Sequence, residues 1–198
     1  MGRIARGKLL YEGCFAHVFS RSIERRWIFK DSDDFEFFRS LIIDTKKTGV
    51  FLVHHYCFMS SHFHLAVRIR SLPEFSGCFQ EIKREYTFWF NRKYKRRGPL
   101  WRERFKSLLI ENEGYLHACG KYIEFNPVKA GMIKSPEQWA YSSAGFYFKK
   151  ISDPLVDGYE FPEMPKGIDP QEEVFFTRGV GIGSGLFKLY LRDALQAV

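Results

Sequence analysis

The sequence lacks what a membrane, a secretion signal or a disulfide framework would require. No apolar run approaches the length that crosses a bilayer. The opening residues, MGRIARGKLLYEG, carry basic groups but no apolar stretch of signal-peptide length. Gly2 follows Met1, yet Arg6 stands where an N-myristoylation signal has Ser or Thr. Cysteine is scarce: Cys14, Cys57, Cys78 and Cys119 form no CxxC pair, and each sits among apolar residues. That is the pattern of buried, reduced thiols in a cytoplasmic protein, and no membrane partner is expected. Internal repeats and low-complexity tracts are missing too.

What is present describes a globular chain with a core, 45% hydrophobic and 27% charged. Lysine and arginine outnumber the acids, giving a net charge of +8 and a pI near 9.3. That balance suits a polyanionic partner. Arg92, Lys93, Lys95, Arg96 and Arg97 form one dense cluster, followed by Arg102, Arg104 and Lys106. Cations also suit a helix C-terminus, so the cluster alone weighs evenly between a solvated helix end and a phosphate-binding surface. Tyr86, Phe88, Trp89, Phe90, Tyr94 and Trp101 interleave with it. Cations for phosphates and rings for bases suit single-stranded nucleic acid, although most of these rings read as core.

The order of elements predicts the fold. Residues 14–20 read as a strand. Asp31 to Asp34 supply a cap and an acidic first turn to a helix whose apolar positions are Phe35, Phe38, Leu41 and Ile42, with Gly49 as its stop. Residues 50–58 are β-branched and aromatic, and a short connection at Met59-Ser60-Ser61 makes a hairpin with the next strand. Pro73 opens a long helix with Phe75, Phe79, Ile82, Tyr86 and Trp89 on one stripe, closed by Gly98-Pro99. Residues 105–111 read as a fourth strand, and a further helix runs from about 113 to 126, where Pro127 ends it. The order strand, helix, strand, strand, helix, strand predicts an α+β, ferredoxin-like four-stranded antiparallel sheet with both helices on one face and the other face open. The prolines after Phe148 mark a change, so the expected domains are 1–148 and an extension over 149–198 of unknown role, with a last short helix near 184–195.

The third strand carries the chemistry. In SSHFHLAVRIR, residues 60–70, alternation puts Phe63, Leu65, Val67 and Ile69 on one face and His62, His64, Ala66, Arg68 and Arg70 on the other. The second face gathers two metal-ligand candidates and two cations, as an anionic substrate would require. Two histidines alone are a modest signal, and a divalent ion needs a third ligand. Tyr122 and Asn126 in KYIEFNPVKAG lie one turn apart on one helix face, and Asn126 brings a neutral oxygen. His54 and His55 are also candidates, but adjacent strand residues point to opposite faces, so only one of them can join.

At these residues the chain resembles a known family. SSHFHLAV resembles the histidine–hydrophobe–histidine element, and GKYIEFNPVKAGM the tyrosine-bearing segment, of single-tyrosine HUH transposases, closest to their REP-associated branch. GCFAHVFSR, IFKDSDDFEFF, GPLWRERFKS and EQWAYSS follow in the family's order, so the resemblance covers about residues 10–146. It implies Tyr122 as nucleophile, with His62, His64 and Asn126 holding Mg2+ or Mn2+. Histidine ligands suit manganese better than magnesium. It further implies single-stranded hairpin DNA as substrate, a 5′-phosphotyrosine intermediate, and strand transfer to a second 3′-hydroxyl. Arg68, Arg70, Arg92, Lys93, Lys95, Arg96, Arg97, Arg102 and Arg104 would hold the DNA backbone. The chain is expected to be a monomer or a homodimer, and members of the family differ in whether the tyrosine helix serves its own subunit or its partner's. Ser61 departs from the asparagine or acid that many relatives carry before the first histidine, and Tyr115, seven residues before Tyr122, is a rival nucleophile. The competing readings are a domesticated nuclease of repeated hairpins, a non-catalytic hairpin-binding module and an unrelated metallohydrolase.

Overall fold

The computed structural model describes residues 10–158. Four strands, β1 (Phe15–Arg21), β2 (Phe51–Met59), β3 (His62–Ile69) and β4 (Lys106–Ile110), form one antiparallel sheet in the order β2-β3-β1-β4. Helices α1 (Ser32–Lys47) and α2 (Leu72–Lys93) cross over on one face, α3 (Glu113–Glu124) follows β4, and two short helices, α4 (Asn126–Lys129) and α5 (Ala144–Lys149), come after it. The α+β sheet expected from the sequence is therefore the observed one.

The core follows the alternation. Phe63, Leu65, Val67 and Ile69 of β3 and Ala16 and Val18 of β1 are fully buried. They meet Phe35, Phe38 and Ile42 of α1 and Phe75, Phe79, Ile82, Tyr86 and Phe90 of α2. Trp89 lies at the margin, stacked on Phe37 with centroids 4.5 Å apart. Asp31 and Asp34 form the expected capping box of α1. Lys93 and the Tyr94 hydroxyl, from the end of α2, reach the Asp34 carboxylate at 3.0 and 2.8 Å. The two helices are thereby pinned end to start.

The other face of the sheet was expected to be open and is not. α3 lies on β2 and β3 and closes it. Two features permit the close approach. Gly120 has no side chain where it meets His55, whose ring atoms lie 2.5 Å from the position a Cβ would take. Below it, His55 Nδ1 pairs with the buried Glu124 carboxylate at 2.9 Å, and Ser143 Oγ donates to the same oxygen at 2.8 Å. These contacts join residues far apart in the chain, so no local pattern announces them.

The edge of β2 is also covered. Phe58 N donates to Tyr141 O, and Ser143 N to Tyr56 O. At the bulge between Val53 and His55, the Asp157 carboxylate accepts from Val53 N at 2.8 Å. An exposed edge would otherwise offer unpaired backbone groups to another chain. The helix expected near 184–195 lies outside the described residues.

Candidate active site

β1 has the same alternation as β3, and antiparallel pairing brings the two polar rows together. The register sets Phe19 opposite His64 and Arg21 opposite His62. His17, one step further along the row, places Nε2 2.9 Å from His64 Nδ1. The His62 and His64 rings lie 5.1 Å apart at right angles. His62 Nδ1 is 3.1 Å from Ser61 Oγ, so the residue that departs from the family pattern contacts the first histidine. All three histidines are buried, at 1%, 8% and 5% exposure for His17, His62 and His64.

α3 brings Tyr122 over this row. Its ring centroid lies 5.8 Å from that of His64 and 6.1 Å from that of His17. One chain thus places the tyrosine against its own histidines. Asn126 follows at the helix end for a local reason. Pro127 has no N–H to give the Ile123 carbonyl. Asn126 Nδ2 donates instead, to Tyr122 O at 2.8 Å and Ile123 O at 3.3 Å. The amide nitrogen is committed to the helix, which leaves the side-chain oxygen as the end able to ligate.

Two buried polar atoms here have no hydrogen-bond partner among the described residues: His62 Nε2 and the Tyr122 hydroxyl. Buried polar atoms are ordinarily paired, so these two call for an explanation. A cation at one and a substrate phosphate at the other would supply it, and the donor set suits a divalent ion. Among the described residues no group of three or more His, Cys, Asp or Glu side chains is arranged to hold a metal ion.

Burial and local charge set the proton affinities. Burial pushes the Tyr122 phenol up to about 12, with Cys119 acting in the same direction, while Arg21 favours the phenolate. Lys129 adds a cation 5.2 Å from the tyrosine ring centroid. Burial lowers His17 to about 3. Burial, then Arg21 and Arg25, lower His62 to about 3. His64 is pushed down by burial, His17, His62 and Arg21. All three rings are neutral at pH 7, as ligation requires. The unfolded chain protonates its histidines near 6.5 and the folded one holds His17 and His62 neutral to about 3. Stability is thus complete above 6.5 and falls as pH drops towards 3, by about 1.4 kcal/mol per pH unit per histidine. Denaturant midpoints between pH 6.5 and 4 should show about three protons taken up on unfolding, one each by His17, His62 and His64. A flat profile would mean that the rings protonate in place.

Of the residues read from the sequence, His62, His64 and Tyr122 come together, and Asn126 lies one turn beyond Tyr122, tied to the Tyr122 and Ile123 carbonyls. Tyr115 stands apart, half-exposed beside Glu111. Because of the bulge, β2 does not keep strict alternation at His54 and His55, and both are engaged elsewhere, His54 Nδ1 with Asp157 O at 2.9 Å and His55 with Glu124. The basic residues divide. Lys93 is held by Asp31, Asp33 and Asp34. Arg92, Lys95, Arg97, Arg102 and Arg104 are exposed. Arg96 and Arg97 line a pocket of about 200 Å³ together with Arg26, Ile23, Pro99 and Leu100. Arg68 is exposed, with Nε on Gly13 O at 3.2 Å, and Arg70 is exposed at the end of β3. Sequence reasoning missed His17, Arg21 and Lys129. The alternation in FAHVFSR puts His17 and Arg21 on one face and could have flagged both. Glu24 and Arg25, at φ 54° and 55°, hold a backbone conformation rare for side-chain-bearing residues, next to the site.

The likenesses of the chain agree with this arrangement. It is 31% identical over 114 residues to the "REP-associated tyrosine transposase" of Escherichia coli (strain K12), a match that takes in 55% of this chain and 64% of that relative. A solved REP-associated tyrosine transposase bound to a REP hairpin superposes with a TM-score of 0.63 at 21% identity, over 85% of this chain and 100% of the other, and shares its fold. Residues 11–126, which hold the strands, the histidine pair, Tyr122 and Asn126, match the family described as "Transposase IS200 like". That span is more than half of the chain, and the chain belongs to the IS200-like transposase family.

Proposed function

We propose that the protein cleaves and rejoins single-stranded hairpin DNA through a covalent bond to Tyr122. The observation that carries this reading is the buried Tyr122 hydroxyl, unpartnered among the described residues, on a helix packed against His64. A tyrosine that served packing alone would have its hydroxyl paired. The likeness to a REP-associated tyrosine transposase, and the solved relative's REP hairpin, point to hairpins as the substrate class.

His62, His64 and Asn126 would hold Mg2+ or Mn2+. When bound, such an ion polarises the scissile phosphate and stabilises the leaving oxygen. Tyr122 attacks phosphorus in line. The Tyr122 oxygen–phosphorus bond forms, the bond from phosphorus to the 3′-oxygen breaks, and the phenol gives up its proton as the leaving oxygen becomes a 3′-hydroxyl. Arg21 favours the phenolate and opposes, in part, the burial that raises its pKa. The 5′-phosphotyrosine conserves the phosphodiester energy, and a second 3′-hydroxyl can reverse the step to join new strands. The ring of Tyr122 packs against His64, and the cleaving form is a monomer or a homodimer. We read the reaction as cytoplasmic from the four unpaired cysteines; among the described residues no helix is long and apolar enough to cross a membrane. A second reading confines the same chemistry to repeated chromosomal hairpins without movement of the gene itself; hairpins scattered through the genome favour it, and hairpins bracketing the gene favour a mobile element.

The test is covalent trapping on labelled hairpins from the protein's genomic neighbourhood, with Mg2+ or Mn2+ and with a chelator. A metal-dependent adduct is expected on a denaturing gel. Tight binding with no adduct on any hairpin would leave a binding module. The basic surface is tested by salt. Arg97→Ala should lower the slope of log affinity against log salt by about one, as the loss of one phosphate contact does. Lys93→Ala should keep the slope and lose thermal stability, since its ammonium ties α2 to α1. A fall in slope for Lys93→Ala equal to that of Arg97→Ala would put Lys93 on the DNA.

A further inference from the structure

His17 lies at the centre of the site without a place in the chemistry above. It is 1% exposed, so DNA cannot reach it directly. Its Nε2 faces His64 Nδ1 at 2.9 Å. Two neutral imidazoles that meet nitrogen to nitrogen share one proton, and that proton has two possible owners. If His17 Nε2 carries it, the neutral His64 ring has its own proton on Nε2 and cannot ligate through that atom. If His64 Nδ1 carries it, His17 Nε2 accepts, and the Nε2 lone pair of His64 is available. His64 Nδ1 itself is not open to a cation, because His17 occupies its hydrogen-bonding direction. Nε2 is therefore the atom through which His64 can ligate.

We propose that His17 is a positioning residue, which accepts the Nδ1 proton of His64 and so holds His64 in the tautomer whose Nε2 can bind a divalent cation. The inference rests on the metal reading of the site given above. Metal-bound histidines ordinarily donate their other ring N–H to a fixed acceptor, which sets ring orientation and raises ligand basicity. His62 has a matching neighbour in Ser61 Oγ, 3.1 Å from its Nδ1. Each histidine of the pair thus has its Nδ1 engaged by the protein. The arrangement also explains a histidine on β1, where an apolar residue would pack equally well under α3.

The experiment measures Mn2+ binding to the DNA-free protein by electron paramagnetic resonance, so that no turnover is needed. His17→Phe keeps a ring in the space and removes the acceptor. Its Mn2+ affinity should fall about 10- to 100-fold, the usual effect of losing such a partner. His17→Gln, whose amide oxygen can accept from Nδ1, should recover most of that loss. Hairpin binding in chelator should be the same in all three proteins. An affinity of His17→Phe equal to wild type would overturn the proposal, and a loss of thermal stability alone would show a packing role. Wild-type protein that binds no Mn2+ would instead sink the metal reading. If neither variant folds, nitrogen NMR of the wild-type protein with Mg2+ decides. A proton on His64 Nδ1 is expected, and one on His17 Nε2 would overturn the assignment.

Discussion

Tyr122→Phe is expected to abolish the covalent adduct, to lower cleavage by roughly 10⁴-fold or more, and to leave hairpin binding intact. The same variant should be more stable than the wild type, which separates this prediction from ordinary loss of function. The Tyr122 hydroxyl is buried without a hydrogen-bond partner among the described residues. An unpaired buried hydroxyl costs about 1–3 kcal/mol, and phenylalanine removes it while keeping the ring against His64 and His17. Part of that range should return as stability. Adduct formation on hairpin DNA and denaturant unfolding of the free protein measure the two halves. An adduct that survives the substitution would move the nucleophile, with Tyr115 next to test. A stability loss above about 1 kcal/mol would mean that the hydroxyl is paired in the folded protein after all.

Gly120→Ala should damage both fold and activity. The new methyl would sit 2.5 Å from Cε1 and Nε2 of His55. The ring has little freedom to withdraw, because Glu124 holds its Nδ1 at 2.9 Å and Tyr147 stacks on it with centroids 4.5 Å apart. Tyr147 is itself fixed by its hydroxyl on His54 O at 2.8 Å. Overpacking of this kind costs about 1–3 kcal/mol. The alternative to moving His55 is lifting α3, which carries Tyr122 two residues further on. A displacement of about 1 Å at the nucleophile can cost roughly 10²-fold in rate. Urea midpoints and single-turnover cleavage should fall together. An alanine variant with wild-type stability and rate would show that α3 does not lie this close to β2.

Both predictions depend on which parts of the molecule local sequence could specify. The order of strands and helices was legible because each element carries its own period: two in HFHLAVRI, three to four in the stripes of α1 and α2. The cap of α1 was legible because Asp31 and Asp34 act within one turn. Tyr122 and Asn126 were legible as a pair because i and i+4 share a helix face, and the histidines because i and i+2 share a strand face. The sheet face that α3 covers was not legible. Its closure needs Gly120 opposite His55 and Glu124 beside Ser143, contacts between β2, α3 and a later loop. His17 and Arg21 escaped for the same reason, since their value comes from a register with β3 that neither strand encodes by itself. The basic cluster read as one surface, yet Lys93 turns to the first residues of α1 while Arg97 faces solvent, a distinction of helix packing.

The sequence by itself determined the sheet, its crossover helices, and the residue types of a tyrosine and paired-histidine site. Tertiary structure alone decided that the site is buried, that its tyrosine meets the histidines of its own chain, and that a third histidine stands behind the second. Periodicity fixes which way a side chain points relative to its own element. What it points at is set by packing between elements distant in the chain.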